Sequence, residues 1–287
     1  MKKIITLLLI PLASIACAQP KLISQAVVYT ITTIVSPEQD ESPGNNPTSG
    51  PGGDEMRIMR FGGDGETKST TWVKGDKVKT FSESEMGRTT IIRDNSKMIT
   101  TTIMEMMGKK TAFYVTDSEQ VVIRKKMDSM MQSRRQNEIQ PSPVNPTSFE
   151  IAYLKDTRKI SGFECRKAII ISSRSNGKKD SIIVWYAPDI KLQGLSSTGG
   201  SFAGFGGFGP QASTLIGMDK LEGFPIQYER NMNRGRKMTV QVTKIVSDKE
   251  ITDLEFEIPK GTELKSTKDM QGMMGGPGGG FQMRIGG

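Results

Sequence analysis

The chain contains no histidine among its 287 residues. Histidine is the commonest general base near neutral pH and the commonest metal ligand. Its absence excludes Ser-His-Asp and Cys-His mechanisms, and it leaves a zinc site short of ligands. Asp and Glu are plentiful but lie mainly in turns, unlike the rigidly held carboxylate pair of a glycosidase. We therefore expect no enzyme activity and no cofactor.

Cysteine is scarce as well, with only Cys17 and Cys165 in the chain. Cys17 lies in a segment that we expect to be removed, so a single thiol remains and no internal disulfide can form. A free cysteine is among the most often buried residue types. We expect Cys165 to be a small, buried, apolar side chain.

Long apolar runs are missing, and no segment has the ~20 consecutive apolar residues of a transmembrane helix. The first residues, "MKKIITLLLIPLASIACA", have a positive start, a short apolar run and a small-x-small site before Gln19. This is the pattern of an export signal. We predict a signal peptide at 1–18 and a periplasmic protein. The alternative is lipid modification of Cys17 and anchoring to the outer membrane, although the Leu expected three positions earlier is absent.

The formal net charge is +8, and two of the lysines lie in the predicted signal peptide. The cations are scattered and accompany no nucleic-acid recognition motif, so we expect no nucleic-acid partner. The glycine runs lack the Gly-Lys-Ser or Gly-Lys-Thr of a phosphate-binding loop. A modest positive excess suits peripheral contact with an anionic membrane or a lipid headgroup.

Short segments rich in β-branched residues, separated by turn residues such as "KGDK" (74–77), dominate the chain. These patterns predict strands joined by hairpins. The predicted strands are 22–35, 56–61, 70–74, 77–82, 88–93, 97–106, 110–116, 149–155, 164–173, 180–187, 225–230, 236–247 and 254–258. No strand-helix-strand alternation occurs, so we predict a mainly β (β-rich α+β) fold with a curved antiparallel sheet or incomplete barrel and one or two covering helices.

The remaining segments differ in composition from the strands. Helical spacing of apolar residues predicts an amphipathic helix over 118–137, with Asp117-Ser118 as its N-cap. We expect one domain over 19–265. Within this domain we predict a flexible Pro/Gly loop at 36–55 and a Gly/Phe-rich insertion at 197–213, and after it a disordered tail at 266–287.

The 18 methionines are concentrated in clusters such as Met127-Met130-Met131. Three interpretations compete. Met packs irregular cores, it lines adaptable apolar surfaces, and its thioether binds Cu(I). Met104 and Met106 share strand parity with Met98, so these three project to one face of a strand 97–106.

We therefore hypothesise an apolar ligand surface built from strand and helix residues. Its candidate lining residues are Met98, Met104, Met106, Ile123, Met127, Met130 and Trp185. The copper alternative uses Met127, Met130 and Met131. Within "VWYAP", Trp185 and Tyr186 project to opposite faces if the strand is regular. Gly162 and Gly223 are expected to be turn glycines with positive φ.

Four segments, which together contain five separated motifs, carry a family resemblance. They are "TTWVKGDKVKTFSESEMGRTTIIRDNSKMITTTIMEMMGKK", "DTRKISGFECRKAIIISSRSNGKKDSIIVWYAPDI", "GFPIQYE" and "DLEFEIPKG", with the first containing both the Lys-Gly-Asp turn and the "IIRD" turn. In this order they resemble the exported bacterial family called domain of unknown function 4412, and more distantly the GLPGLI family. The resemblance implies a fold like the LolA and LolB lipoprotein carriers, and it transfers no activity and no functional residue.

These observations lead to one main functional expectation. We expect non-catalytic periplasmic binding of a lipid, a lipoprotein acyl chain or another apolar ligand. A Met-rich Cu(I)-binding protein is one alternative, and a structural or interaction protein of the cell envelope without a ligand is the other.

Overall fold

The computed structural model describes residues 20–37, 65–85, 87–106, 108–123, 125, 129, 146–174, 179–193, 195, 217–232 and 235–267. Within them the strands are β1 (Lys21–Ile23), β2 (Gln25–Val35), β3 (Gly65–Lys74), β4 (Lys77–Ser84), β5 (Gly87–Asp94), β6 (Ile99–Met106), β7 (Lys109–Thr116), β8 (Pro146–Ile160), β9 (Phe163–Arg174), β10 (Lys179–Ala187), β11 (Ile190–Leu192), β12 (Phe224–Asn231), β13 (Lys237–Val246) and β14 (Leu264–Ser266). An α-helix begins at Asp117, and 3-10 helices lie at Met218–Lys220 and Asp253–Phe256. No helix in this part of the chain is long and apolar enough to cross a bilayer.

Twelve of these strands form one sheet in the order β14-β7-β6-β5-β4-β3-β2-β13-β12-β10-β9-β8. Neighbours are antiparallel except β14 and β7, and the two edge strands do not pair with each other. The sheet is therefore open, and it is curved. β1 and β11 form a separate parallel pair. The predicted mainly β fold with a curved antiparallel sheet is confirmed.

Local turns explain why β3 to β7 pair in chain order. Two residues, Gly75 and Asp76, join β3 to β4, and Gly75 has a φ of +54° that glycine adopts without strain. Such short connections place consecutive strands side by side. The predicted strands 70–74, 77–82, 88–93 and 110–116 lie within these elements.

One face of the sheet, which we call the core face, carries the main hydrophobic core. Burying a side chain such as Ile or Val contributes about 1.5–3 kcal/mol relative to exposure. Cross-strand partners project from the same face, so the core continues from strand to strand. Its members include Val28, Val73, Val78, Ile170, Ile182, Val184, Val240 and, from the segment that follows β11, Leu195, Met218 and Leu221.

The core face changes to hydroxyl-bearing side chains over β2 to β4. The Thr71 and Thr80 hydroxyls share a hydrogen bond of 3.1 Å, and the Ser69 and Ser82 hydroxyls share one of 2.9 Å. These four side chains on β3 and β4 satisfy one another across the strands, which removes the cost of burying an unpaired polar group, whereas the buried Thr30 hydroxyl on β2 has no hydrogen-bond partner among the described residues.

The helix start differs in detail from the prediction. The N-cap is Thr116, whose Oγ1 accepts a hydrogen bond from the Glu119 N–H at 3.3 Å. The Thr116 N–H donates in return to Glu119 Oε2 at 3.0 Å. This is a capping box. Asp117, predicted as part of the cap, instead accepts hydrogen bonds from Arg93.

The predicted strand at 254–258 is wrong. Asp253–Phe256 forms a 3-10 helix in a segment over the sheet face opposite the core face. This segment, residues 251–263, is called the strap below. The sequence 254–258 alternates apolar and charged residues as a strand does, but of its three apolar side chains only Phe256 is buried, while Leu254 and Ile258 are exposed.

Several other predictions concern strand ends or single residues, and each can be compared with the structure. β6 begins at Ile99 rather than 97, and β8 extends beyond 149–155 in both directions. Gly162 and Gly223 have positive φ, as predicted, and Cys165 is 1% exposed, as predicted. Outside the described residues lie the predicted strand 56–61, nearly all of 36–55, most of 124–137, the insertion 197–213 and nearly all of 266–287.

Candidate functional site

The methionines predicted to line a ligand surface lie in two different settings. Met104 and Met106 are half-buried on β6, and Met104 lies opposite Thr89 and Thr111 on the core face. Met98 lies in the turn before β6, with a φ of +56° and 59% of its surface exposed. β6 begins at Ile99, so Met98 does not share a strand face with Met104.

The Trp185 side chain leaves β10 on the side opposite Val184 and Tyr186, where it is half-buried and packs against members of the main hydrophobic cluster. Its neighbours in β10, Val184 and Tyr186, are buried in the core, and successive strand residues alternate between faces. This agrees with the expected division of Trp185 and Tyr186 between two faces. It also places Trp185 on the opposite side of the sheet from Met104.

The helical part of the predicted surface is only partly described. Ile123 is half-buried in the helix that begins at Asp117. Met127, Met130 and Met131 lie outside the described residues, so the copper alternative stays a prediction. Among the described residues, no group of three or more Cys, Asp or Glu side chains is placed to hold a metal ion.

A groove lies on the opposite face, between the sheet and the strap. Its volume is about 190 Å³. An apolar cavity of ~150 Å³ accommodates a benzene molecule, whereas drug-sized ligands occupy ~300–1,000 Å³. The groove therefore has room for a ring or the end of a chain. Its lining residues are Trp72, Lys79, Phe81, Thr90, Ile92, Glu257 and Pro259.

The floor of the groove follows from strand register. Trp72 on β3 lies opposite Lys79 on β4, which lies opposite Ile92 on β5. Phe81 and Thr90 form the next cross-strand pair on the same face. The sequence "WVKGDKVKTF" contains the signal for this arrangement, because its two-residue turn fixes which side chains meet.

The strap is held over this floor by apolar contacts and by charge pairs. Ile251 and Phe256 are buried against Val27 and Ile92. Asp253 Oδ1 lies 3.2 Å from Lys74 Nζ. A hydrogen bond from Lys74 lowers the pKa of the Asp253 carboxyl below its usual value of 3.8.

Lys79 is the cation of the groove wall, and its charge is already compensated. Its Nζ lies 3.4 Å from Glu255 Oε2 and 5.0 Å from the centre of the Trp72 ring. The side chain is 21% exposed. A cation that interacts with both a carboxylate and an aromatic face gives the floor little excess charge. The arrangement suits binding of an uncharged apolar group.

The far end of the strap is attached to β7. Lys110 Nζ donates to Thr262 Oγ1 at 2.9 Å, and β14 then pairs with residues 112–114. The strap therefore crosses from β3 to β7 and is fixed at both ends. Strand patterns alone do not indicate this groove, since one wall, formed by Glu257 and Pro259, comes from a segment about 180 positions after Trp72 in the chain.

Comparison with known protein families identifies the family of this chain. The family model described as "Domain of unknown function (DUF4412)" matches residues 55–262, more than half of the chain. No curated protein matches the chain.

Several solved structures are similar to it in part. PNGF-II gives a TM-score of 0.38 at 14% identity, covering 86% of this chain and 32% of that one, so this chain spans about a third of it. The LolA superfamily protein NE2245 from Nitrosomonas europaea gives 0.29 at 8% identity, covering 82% and 90%. A domain named for outer membrane lipoprotein sorting, from Vibrio parahaemolyticus, gives 0.27 at 6% identity, covering 81% and 89%. On the extent of its match to the family model, the chain belongs to the domain of unknown function 4412 family.

Proposed function

We propose that this chain is a non-catalytic binding protein whose groove under the strap takes a small apolar group. The observation that carries the proposal is the floor of Trp72, Phe81 and Ile92. On β3 to β7, the next row of cross-strand partners on the same face is charged, and on β2 it continues to Ile31. Its charged members are Lys68, Glu83, Arg88, Glu105 and Lys110. An apolar floor beside such a row marks a place where an apolar ligand gains contact and loses water.

The size of the groove narrows the ligand class. A volume of about 190 Å³ suits one ring or the methyl end of an acyl chain rather than a whole lipid. A lipid, an acyl chain of a lipoprotein or an apolar side chain of an envelope protein each offers such a group. The export signal predicted at 1–18 supports an encounter in the periplasm, with the mature chain either free or anchored to the outer membrane through Cys17.

The chemistry of the lining supports binding rather than catalysis. Its ionisable side chains are Lys79 and Glu257, and Lys79 is paired with Glu255. Covalent or acid–base catalysis requires a nucleophile next to a base, or a proton donor and acceptor on either side of a reacting atom. The groove lining does not supply such a constellation.

Tryptophan fluorescence tests the proposal directly, because the chain has two tryptophans and one of them lies in the groove. In a Trp185→Phe variant the emission comes from Trp72 alone. A fatty acid brominated near its methyl end quenches a tryptophan that it touches. We expect saturable quenching of Trp72 at concentrations below those at which the fatty acid forms micelles.

A matched pair of substitutions locates the binding. Phe81→Ala removes a large part of the floor and lowers the affinity about tenfold. Tyr29→Ala removes an exposed aromatic ring from the same sheet face, outside the groove lining, and leaves the affinity unchanged. Non-saturable quenching, or equal affinities for the two variants, contradicts the proposal.

A further inference from the structure

Two cations lie against one aromatic ring at the other end of the sheet. Arg158 Cζ is 5.8 Å and Lys167 Nζ is 5.7 Å from the centre of the Trp185 ring. Neither cation has a carboxylate within ion-pair distance among the described residues. Each of these charges lacks a carboxylate partner in the described part of the chain, so an anion that approaches the ring is attracted by them.

These cations belong to the end of the β8–β9 hairpin, which bends over the face opposite the core face. Gln241 Nε2 on β13 donates to Ser161 Oγ at the hairpin turn at 3.2 Å. β10 and β12 lie between β9 and β13, so the turn reaches across both strands. A shift of register between Tyr153 and Thr157 accompanies this bend, as bulges commonly do.

The hairpin end carries an excess of positive charge. Residues 155–167 contain five cations and two acids, and one of those acids, Glu164, lies 3.8 Å from Lys159. Four of the cations are exposed and Lys167 is half-buried. We call this set the basic tip. It consists of Lys155, Arg158, Lys159, Arg166 and Lys167.

Apolar side chains continue from Lys167 and Trp185 along the same face. Ile169 and Ile183 are cross-strand partners in the row next to Lys167 and Trp185. Ile183 is 36% exposed, and Ile169 and its other partner Ala152 are half-buried. A cationic region therefore adjoins a tryptophan and then an apolar strip.

We propose that this surface docks on an anionic lipid bilayer. Arg158 and Lys167, which lie beside Trp185, meet the phosphates of the headgroups. The Trp185 ring, with an apolar body and a polar N–H, lies at the headgroup level that tryptophan favours. Ile169 and Ile183 contact the upper acyl region.

A bilayer fits these observations better than an acidic polymer does. A polymer would use the cations and leave the adjoining apolar strip in water. A bilayer uses both, since anionic lipids attract each nearby cation and the interface accepts apolar side chains. The surface shares no residue with the groove under the strap, so this inference stands apart from the proposed function.

Vesicle co-sedimentation tests the docking. The chain that begins at Gln19 is used, because it lacks the apolar signal segment and retains every described residue. We expect binding to phosphatidylglycerol vesicles that weakens with added salt, and at least tenfold weaker binding to phosphatidylcholine vesicles.

Two double variants distinguish binding through this surface from binding through the net charge of the whole chain. Arg158→Gln with Lys167→Gln lowers the partition to phosphatidylglycerol about 30-fold, at about fivefold for each cation. Lys68→Gln with Arg88→Gln removes the same charge from the same sheet face far from the basic tip, and it retains binding. Equal losses in the two variants overturn the proposal.

Quenching of the Trp185 fluorescence measures how deep this ring lies in the bilayer. In a Trp72→Phe variant, brominated phosphatidylglycerol quenches the remaining emission if Trp185 lies at the interface. Unchanged emission on vesicle binding overturns the proposed orientation. Binding to heparin or duplex DNA without binding to vesicles overturns the choice of a bilayer.

Discussion

Arg93 on β5 donates two hydrogen bonds to the carboxylate of Asp117, from Nη1 to Oδ1 at 2.5 Å and from Nη2 to Oδ2 at 2.8 Å. The same guanidinium donates to Thr100 Oγ1 on β6 and to Asn95 Oδ1 in the turn between the strands. The Arg93 side chain is 9% exposed. One buried cation therefore connects two strands, their turn and the first residue of the helix.

Removing the charge of Asp117 is expected to destabilise the fold. Asp117→Asn leaves the Arg93 guanidinium with weaker acceptors in a buried position. Breaking a buried pair typically costs ~3–5 kcal/mol, but the Asp117 side chain is 40% exposed, so we expect ~1–3 kcal/mol. Urea denaturation monitored by circular dichroism measures the loss. Glu83→Gln breaks the exposed pair with Arg88 and serves as the control that leaves stability unchanged.

The same pair predicts how stability depends on pH. Hydrogen bonds from Arg93 hold the pKa of the Asp117 carboxyl below its usual value of 3.8. A depressed pKa in the folded state gives stability that is complete above pH 3.8 and is lost as pH falls through the folded value. The stability difference between the wild type and Asp117→Asn therefore shrinks below pH 3.8. A difference that stays constant into more acidic solution contradicts this assignment.

Adjacent isoleucines in β10 test the assignment of the two sheet faces. Ile182 is 4% exposed on the core face, and Ile183 faces the other way. Ile182→Ala removes buried methyl groups and leaves a cavity, at a cost of about 2–5 kcal/mol. Ile183→Ala costs less than ~1 kcal/mol, because its side chain is partly in water already. Equal unfolding midpoints for the two variants show that the faces are assigned incorrectly.

Cys165 is expected to be unreactive in the folded protein. Burial raises the pKa of its thiol to about 11, from the usual 9.0. The reactive thiolate is then ~100-fold rarer at pH ~8 than in an exposed cysteine, and access is blocked as well. In the chain that begins at Gln19, labelling with a thiol reagent is slow in buffer and fast in denaturant. Fast labelling under native conditions contradicts the burial of this side chain.

The strands could be predicted because their signals are local. Alternating residues on either side of "KGDK" fix both β3 and β4 and the register between them. Strand β2 also carries a clear pattern, but its place between β3 and β13 does not follow from that pattern. Pairing between distant segments depends on which faces fit together once all strands are present.

The predicted lining residues illustrate the same limit. Alternation correctly separates Trp185 from Tyr186, because it needs only one strand. It does not relate Trp185 on β10 to Met104 on β6, because six strands lie between these two in the sheet. Alternation does not predict the groove either. The alternating charged and apolar residues of the strap predict a strand, and they do not indicate which part of the sheet the strap crosses.

The sequence by itself determined that this protein is a β-rich member of its family without histidine chemistry, because composition, turns and alternation act over a few residues at a time. Only the tertiary structure decided that Trp72 and Phe81 lie beneath the strap and that Trp185 meets two cations on the bent hairpin. Those contacts join residues that are far apart in the chain, and their geometry is set by the register and curvature of the whole sheet.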